Sequence, residues 1–154
     1  MAKQVTKSII VKGTVNEVFQ VWADFENFSN FMKPVKAVSK INGRKSHWVV
    51  EGPLGKTIEW DAETTTFEPN QRIAWNSNDG DIKTTGQVTF TSLPENQTQV
   101  TVTLQYVPPA GLASSIADKL FGDPEGQLQE NLRGFKSYVE KSHLMEREEP
   151  VSSQ

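Results

Sequence analysis

The chain contains no cysteine, which excludes a disulfide scaffold, a thiolate zinc site and a cysteine nucleophile together. Long hydrophobic runs are also missing. The N-terminal stretch MAKQVTKSIIVKG holds an apolar run of only three residues, far short of a signal-peptide core or the ~20 residues of a membrane span. It reads as the start of a cytoplasmic protein without stable membrane insertion, transient membrane contact being left open. Neither charge sign dominates: 16 Lys and Arg stand against 19 Asp and Glu, so the basic footprint of a nucleic-acid binder is absent. No nucleophile elbow, phosphate loop, dinucleotide fingerprint, internal repeat or low-complexity segment occurs. Neither a cofactor nor a metal is expected.

What is present is one domain's worth of patterned sequence. A chain of 154 residues buries ~68–70% of its unfolded surface, enough for a real core. QVTKSIIVKG reads as a strand with Val5, Ile9 and Val11 on one face, ended by Gly13. Thr14-x-x-Glu17 is a capping box opening a helix whose apolar stripe is Val15, Val18, Phe19 and Trp22. Asp24 is placed to cap a second short helix carrying Phe25, Phe28, Phe31 and Met32. From residue 35 to 107 the period changes to two, interrupted by turns at Asn42-Gly43, Gly52 to Gly55, Glu68-Pro69-Asn70, Asn78-Asp79-Gly80 and Pro94-Glu95-Asn96. Five turns separate six strands, too closely spaced for crossover helices, so neighbours must run antiparallel. After PPAG at 108–111 a helical period returns in Ile116, Ala117, Leu120 and Phe121. It resumes, behind an Asp123-Pro124 cap, in Leu128, Leu132, Phe135 and Val139. The domain is expected over residues 1–145, with 146–154 as a disordered acidic tail.

Three of the four tryptophans, Trp48, Trp60 and Trp75, fall within residues 47–77. Alternation sets them on one face with Val50, Ile58, Ala62 and Ile73, joined by Val88, Phe90, Val100, Val102, Leu104 and Tyr106. A curled sheet covered by one helix encloses more volume than its side chains fill, which suits an apolar ligand. The segments VWADFENFSNFM, HWVVEGPLGKTIEWDAE, PNQRIAW, YVPPAG and LRGFKSYVE together resemble the polyketide cyclase/dehydrase-like branch of the START/SRPBCC superfamily, near the coenzyme Q-binding START-like proteins. The resemblance spans residues 3 to about 141.

It implies an α+β helix-grip fold. A curled antiparallel sheet of about seven strands would wrap a long C-terminal helix, with two short helices after the first strand. It further implies a cavity for a lipid, polyketide or quinone, held by a carrier or sensor. The expected lining is Phe31, Met32, Trp48, Trp60, Trp75, Phe90, Tyr106, Leu112, Ile116 and Leu120, with residues 108–122 as a gate. The alternative is a cyclase or dehydratase, which needs an inward acid or base; Tyr106 is the clear candidate. A third reading is an interaction domain with a vestigial cavity. His47 alternates to the outer face near Glu59 or Asp61, a surface pair. His143 ends the last helix and carries no catalytic assignment. Arg72 stands where it could reach a cavity mouth.

Overall fold

The structure, a computed structural model, describes residues 3–32, 35–51, 57–80, 83–107 and 124–152. Its strands are β1 (Lys3–Lys12), β2 (Val35–Lys40), β3 (Lys45–Glu51), β4 (Thr57–Glu68), β5 (Arg72–Gly80), β6 (Lys83–Leu93) and β7 (Gln97–Val107). They form one antiparallel sheet in the order β1-β7-β6-β5-β4-β3-β2. Strands β2 to β7 are a meander, and β1 closes onto β7 with Val5 opposite Leu104 and Ile9 opposite Val100. The first two strands therefore sit at opposite edges. The chain between them, α1 (Val15–Ala23) and a 3-10 helix (Phe25–Asn30), must span the open side of the sheet. A long helix, α2 (Pro124–Ser152), follows the sheet. This is the expected helix-grip α+β fold, a curled sheet around a C-terminal helix.

The curl has a local cause. The pairing of β4 with β5 shifts register between Asp61 and Glu63 and again between Thr64 and Thr66, and that of β2 with β3 between Val35 and Ala37. Each irregularity bends its strand and increases the twist. α1 starts on the capping box: the Thr14 hydroxyl accepts from the Glu17 N–H and the Glu17 carboxylate from the Thr14 N–H, both at 3.2 Å. Its stripe buries Val18, Phe19 and Trp22.

α2 buries Leu128, Leu132, Phe135 and Val139 at three- and four-residue spacing, each worth about 1.5–3 kcal/mol. It is tied to β1 by Lys136, whose Nζ donates to the Ile10 carbonyl at 2.8 Å and to Glu140 at 2.7 Å; Glu140 in turn accepts from the Lys12 N–H at 2.9 Å. On its other flank Gly134 lies so close to the 3-10 helix that a Cβ there would stand 2.4 Å from the Phe31 carbonyl oxygen. Glycine is required at this position for contact of backbone with backbone.

Three local expectations are corrected. Asp24 makes no side-chain cap; its carboxylate accepts from the Asn27 side-chain amide at 3.1 Å. The turn expected at Asn78-Asp79-Gly80 is not there, because β5 continues to Gly80, paired to the long β4 through Asp61↔Asp79 and Trp60↔Gly80. Finally, α2 runs on to Ser152, through most of the stretch expected to be a tail. The apolar patch at 116–121 and Asp123 lie outside the described residues. No described helix is long and apolar enough to cross a membrane.

Candidate functional site

Where the sheet curls away from α2, a cavity of about 250 Å³ remains. The sheet supplies Trp48 and Val50 from β3, Trp60 and Ala62 from β4, Trp75 from β5, and Val102 and Leu104 from β7. The bridging segment supplies Trp22, Phe25, Phe28 and Met32, and α2 closes it with Leu128 and Asn131.

Its organising feature is a pair of indoles. Trp48 and Trp60 are opposite each other in the β3–β4 register, and their rings stack at 6.1 Å with planes 7° apart. Phe28 meets the edge of Trp48 at 5.2 Å and Phe25 lies at 6.4 Å, so aromatic rings continue from the sheet into the bridge. The Trp48 Nε1–H donates to the buried Ser46 hydroxyl at 2.9 Å, which removes the cost of burying that N–H. The Trp75 ring covers its cross-strand neighbour Gly86; a Cβ there would stand 2.6 Å from the ring. The glycine in β6 makes room for the indole on the sheet.

Polar groups in the wall are few and uncharged: Ser46, Thr64, Thr84 and Asn131. Ser46 serves Trp48, and the Thr84 hydroxyl donates to the Gln105 carbonyl at 3.0 Å. The Asn131 amide and the indole N–H groups of Trp60 and Trp75 make no hydrogen bond among the described residues. These are the groups available to a ligand's carbonyl or hydroxyl.

Of the expected lining, Met32, Trp48, Trp60 and Trp75 come together on the cavity wall. Phe31 and Phe90 do not. Phe31 turns at the end of the 3-10 helix onto α2, 5.4 Å from both Phe135 and Tyr138. Phe90 is buried in the core against Phe19 at 5.2 Å and Trp22 at 6.3 Å. Tyr106 gives its backbone to β7 opposite Thr84; its side chain, like Leu112, Ile116, Leu120 and the 108–122 gate, lies outside the described residues. Arg72 does not reach the cavity, since its Nε lies 3.2 Å from Glu68.

Trp22, Phe25, Phe28, Leu128 and Asn131 were missed as lining. The signal existed for some of them: Phe25, Phe28 and Met32 share one helical face, and Asn131 is one turn from Leu128.

On the outer face, His47 stands between two carboxylates of β4, Nδ1 2.6 Å from Asp61 and Nε2 2.7 Å from Glu59. Hydrogen bonds to Asp61 and then Glu59 raise its pKa above 6.5. The folded state thus favours the imidazolium, and the stabilisation is complete below about pH 6.5 and lost as pH rises through the folded value. An NMR titration should place the His47 midpoint above 6.5, and Asp61→Asn with Glu59→Gln should bring it back. A midpoint unaffected by those changes contradicts the pairing. The stability effect is small, because the pair is solvent-screened.

The family described as polyketide cyclase / dehydrase and lipid transport matches residues 11–133. The chain belongs to this family. An uncharacterized 17.2 kDa protein of Streptomyces lincolnensis is 31% identical over 138 residues, 90% of each chain. The crystal structure of DR_A0006 from Deinococcus radiodurans is 30% identical, with TM-score 0.70 over 91% of this chain and 98% of that one. The Zhui aromatase/cyclase from Streptomyces sp. R1128 is 16% identical, with TM-score 0.77 over 92% of this chain and 95% of that one; this likeness concerns the fold. The polyketide cyclase / dehydrase and lipid transport family fold is a hydrophobic ligand-binding fold.

Proposed function

We propose that the chain binds an apolar, ring-shaped small molecule in this cavity and acts as its carrier or sensor. The supporting observation is the wall itself: a stacked Trp48–Trp60 pair with Trp75 beside it, and only uncharged polar groups among the described lining. A volume of about 250 Å³ lies at the small end of ligand pockets, ~300–1,000 Å³. Of the lipid, polyketide and quinone classes, a compact ring system with one or two oxygen acceptors suits this wall better than a long acyl chain. Stacked aromatic faces complement a flat ring, and Asn131 and the indole N–H groups complement its oxygens.

The cyclase reading asks for a group that moves protons, and the described wall offers hydroxyls, indoles and one amide. Native mass spectrometry of the purified protein should detect a bound small molecule, and a fluorescent apolar probe should bind saturably at one site and quench the tryptophans. Absence of saturable probe binding defeats the proposal. Conversion of a polyketide-type substrate by the purified protein replaces it with the enzyme reading.

A further inference from the structure

A second cleft, of about 440 Å³, lies between Ala23 and Phe25 on one side and the β2–β3 turn and β4 on the other. It shares Phe25, Ser46 and Thr64 with the apolar cavity, so the two spaces have a common wall. Its chemistry is opposite. Lys40, Arg44 and Lys45 line it, all exposed and none in an ion pair among the described residues, whereas no described carboxylate lines it. These three cations are gathered in a chain of net charge −3. Carboxylates adjoin it: Asp24, between the lining residues Ala23 and Phe25, accepts from the Asn27 amide; Glu26 accepts from the Lys40 N–H at 3.4 Å; and Glu63 is opposite Lys45 in the sheet.

The turn holds its cations in place. Asn42 Oδ1 accepts from the N–H of Arg44 at 2.8 Å and of Lys45 at 2.9 Å, and the Thr64 N–H donates to the Arg44 carbonyl at 2.7 Å. Two apolar side chains accompany them: Ile41 in the turn is 52% exposed and Phe67, on the cleft, 51%. Only one other large hydrophobic among the described residues, Ile10, is exposed.

We propose that this corner docks on an anionic membrane surface. Lys40, Arg44 and Lys45 meet lipid phosphates, while Ile41 and Phe67 enter the boundary between headgroups and acyl chains. A small soluble anion is the weaker fit, since its sites are built from converging, desolvated donors, and here the cations are exposed beside exposed apolar groups. The link to ligand transfer rests on the proposed function: docking brings the wall shared through Phe25 against the bilayer that holds apolar ligands.

Co-sedimentation of the full-length chain with phosphatidylcholine vesicles, with and without phosphatidylglycerol, tests the docking. Binding should require the anionic lipid and weaken with salt. Lys40→Gln, Arg44→Gln and Lys45→Gln together should lower partitioning about tenfold or more, and Ile41→Ser should lower it further. Glu26→Gln, which removes an opposing charge, should strengthen salt-sensitive binding to the anionic vesicles without raising binding to neutral ones, a pattern that apolar surface exposed by misfolding does not produce. The same charge removed elsewhere, by Lys83→Gln, Arg133→Gln and Lys141→Gln, should change binding by less than about twofold.

Equal binding to neutral vesicles, an equal loss in the elsewhere-charged control, or displacement by inorganic phosphate at constant ionic strength overturns the proposal. Probe binding in solution reports on the cavity separately. If the probe binds and vesicles do not, docking alone fails; if vesicles bind and the probe does not, docking stands without the carrier.

Discussion

Phe135→Ala should cost about 3–5 kcal/mol of folding stability, the range for removing a buried phenyl ring and leaving a void. Phe135 is fully buried, and its ring meets Trp22 at 5.0 Å and Phe31 at 5.4 Å. It is therefore the point where α2, α1 and the end of the 3-10 helix converge. The void cannot close easily. Gly134 already sets the α2 backbone against Phe31, and Lys136 and Glu140 pin the other flank of the helix to β1. Equilibrium urea denaturation of wild type and variant measures the difference. A loss near 1 kcal/mol would show that α2 can settle into the gap, and so that it is held less firmly than its contacts indicate.

The fold was legible in the sequence because its elements are locally consistent. The Thr14 capping box, the period-two strands and the stripe Leu128, Leu132, Phe135 and Val139 each specify their own structure, and the short connections leave only a meander. What could not be read is where regularity breaks. Strict alternation from Trp60 puts Phe67 on the outer face, yet the register shift between Thr64 and Thr66 sets it opposite Ile73, with its ring meeting Phe19 edge-on at 5.4 Å while half of the residue stays exposed. The turn expected at Asn78-Asp79-Gly80 failed for a related reason: β4 is long enough to keep pairing, so sheet geometry outweighed turn composition.

The cavity was legible on its sheet side, where three indoles share a face. The helical side was not. Phe31 belongs to the same aromatic run as Phe25 and Phe28, but the chain leaves its helical path at Phe31, φ −134°, and turns that ring onto α2. Phe90 follows the inward alternation correctly, yet it sits under α1 rather than under the open part of the curl. Which inward residues face empty space depends on where the helices lie, and alternation carries no information on that.

Trp60→Ala should separate binding from stability. The Trp60 ring has one large aromatic partner, Trp48, and its other surroundings include the cavity. It is only half-buried, unlike Phe135. Fewer contacts are lost on truncation and the new space merges with space already empty, so the cost in stability should be about 1–2 kcal/mol, below the 3–5 of a filled core. The effect on affinity should be larger. An aromatic anchor in a binding pocket commonly contributes about 2 kcal/mol, close to thirtyfold in Kd. Trp75→Ala should show a similar fall in affinity with a greater loss of stability, because the indole also covers Gly86 and the sheet beneath it. Urea melts and probe titrations on the same three proteins give both numbers for each. If Trp60→Ala loses a core-sized amount of stability while probe affinity is unchanged, the stacked indoles are packing, and the ligand, if one binds, sits elsewhere.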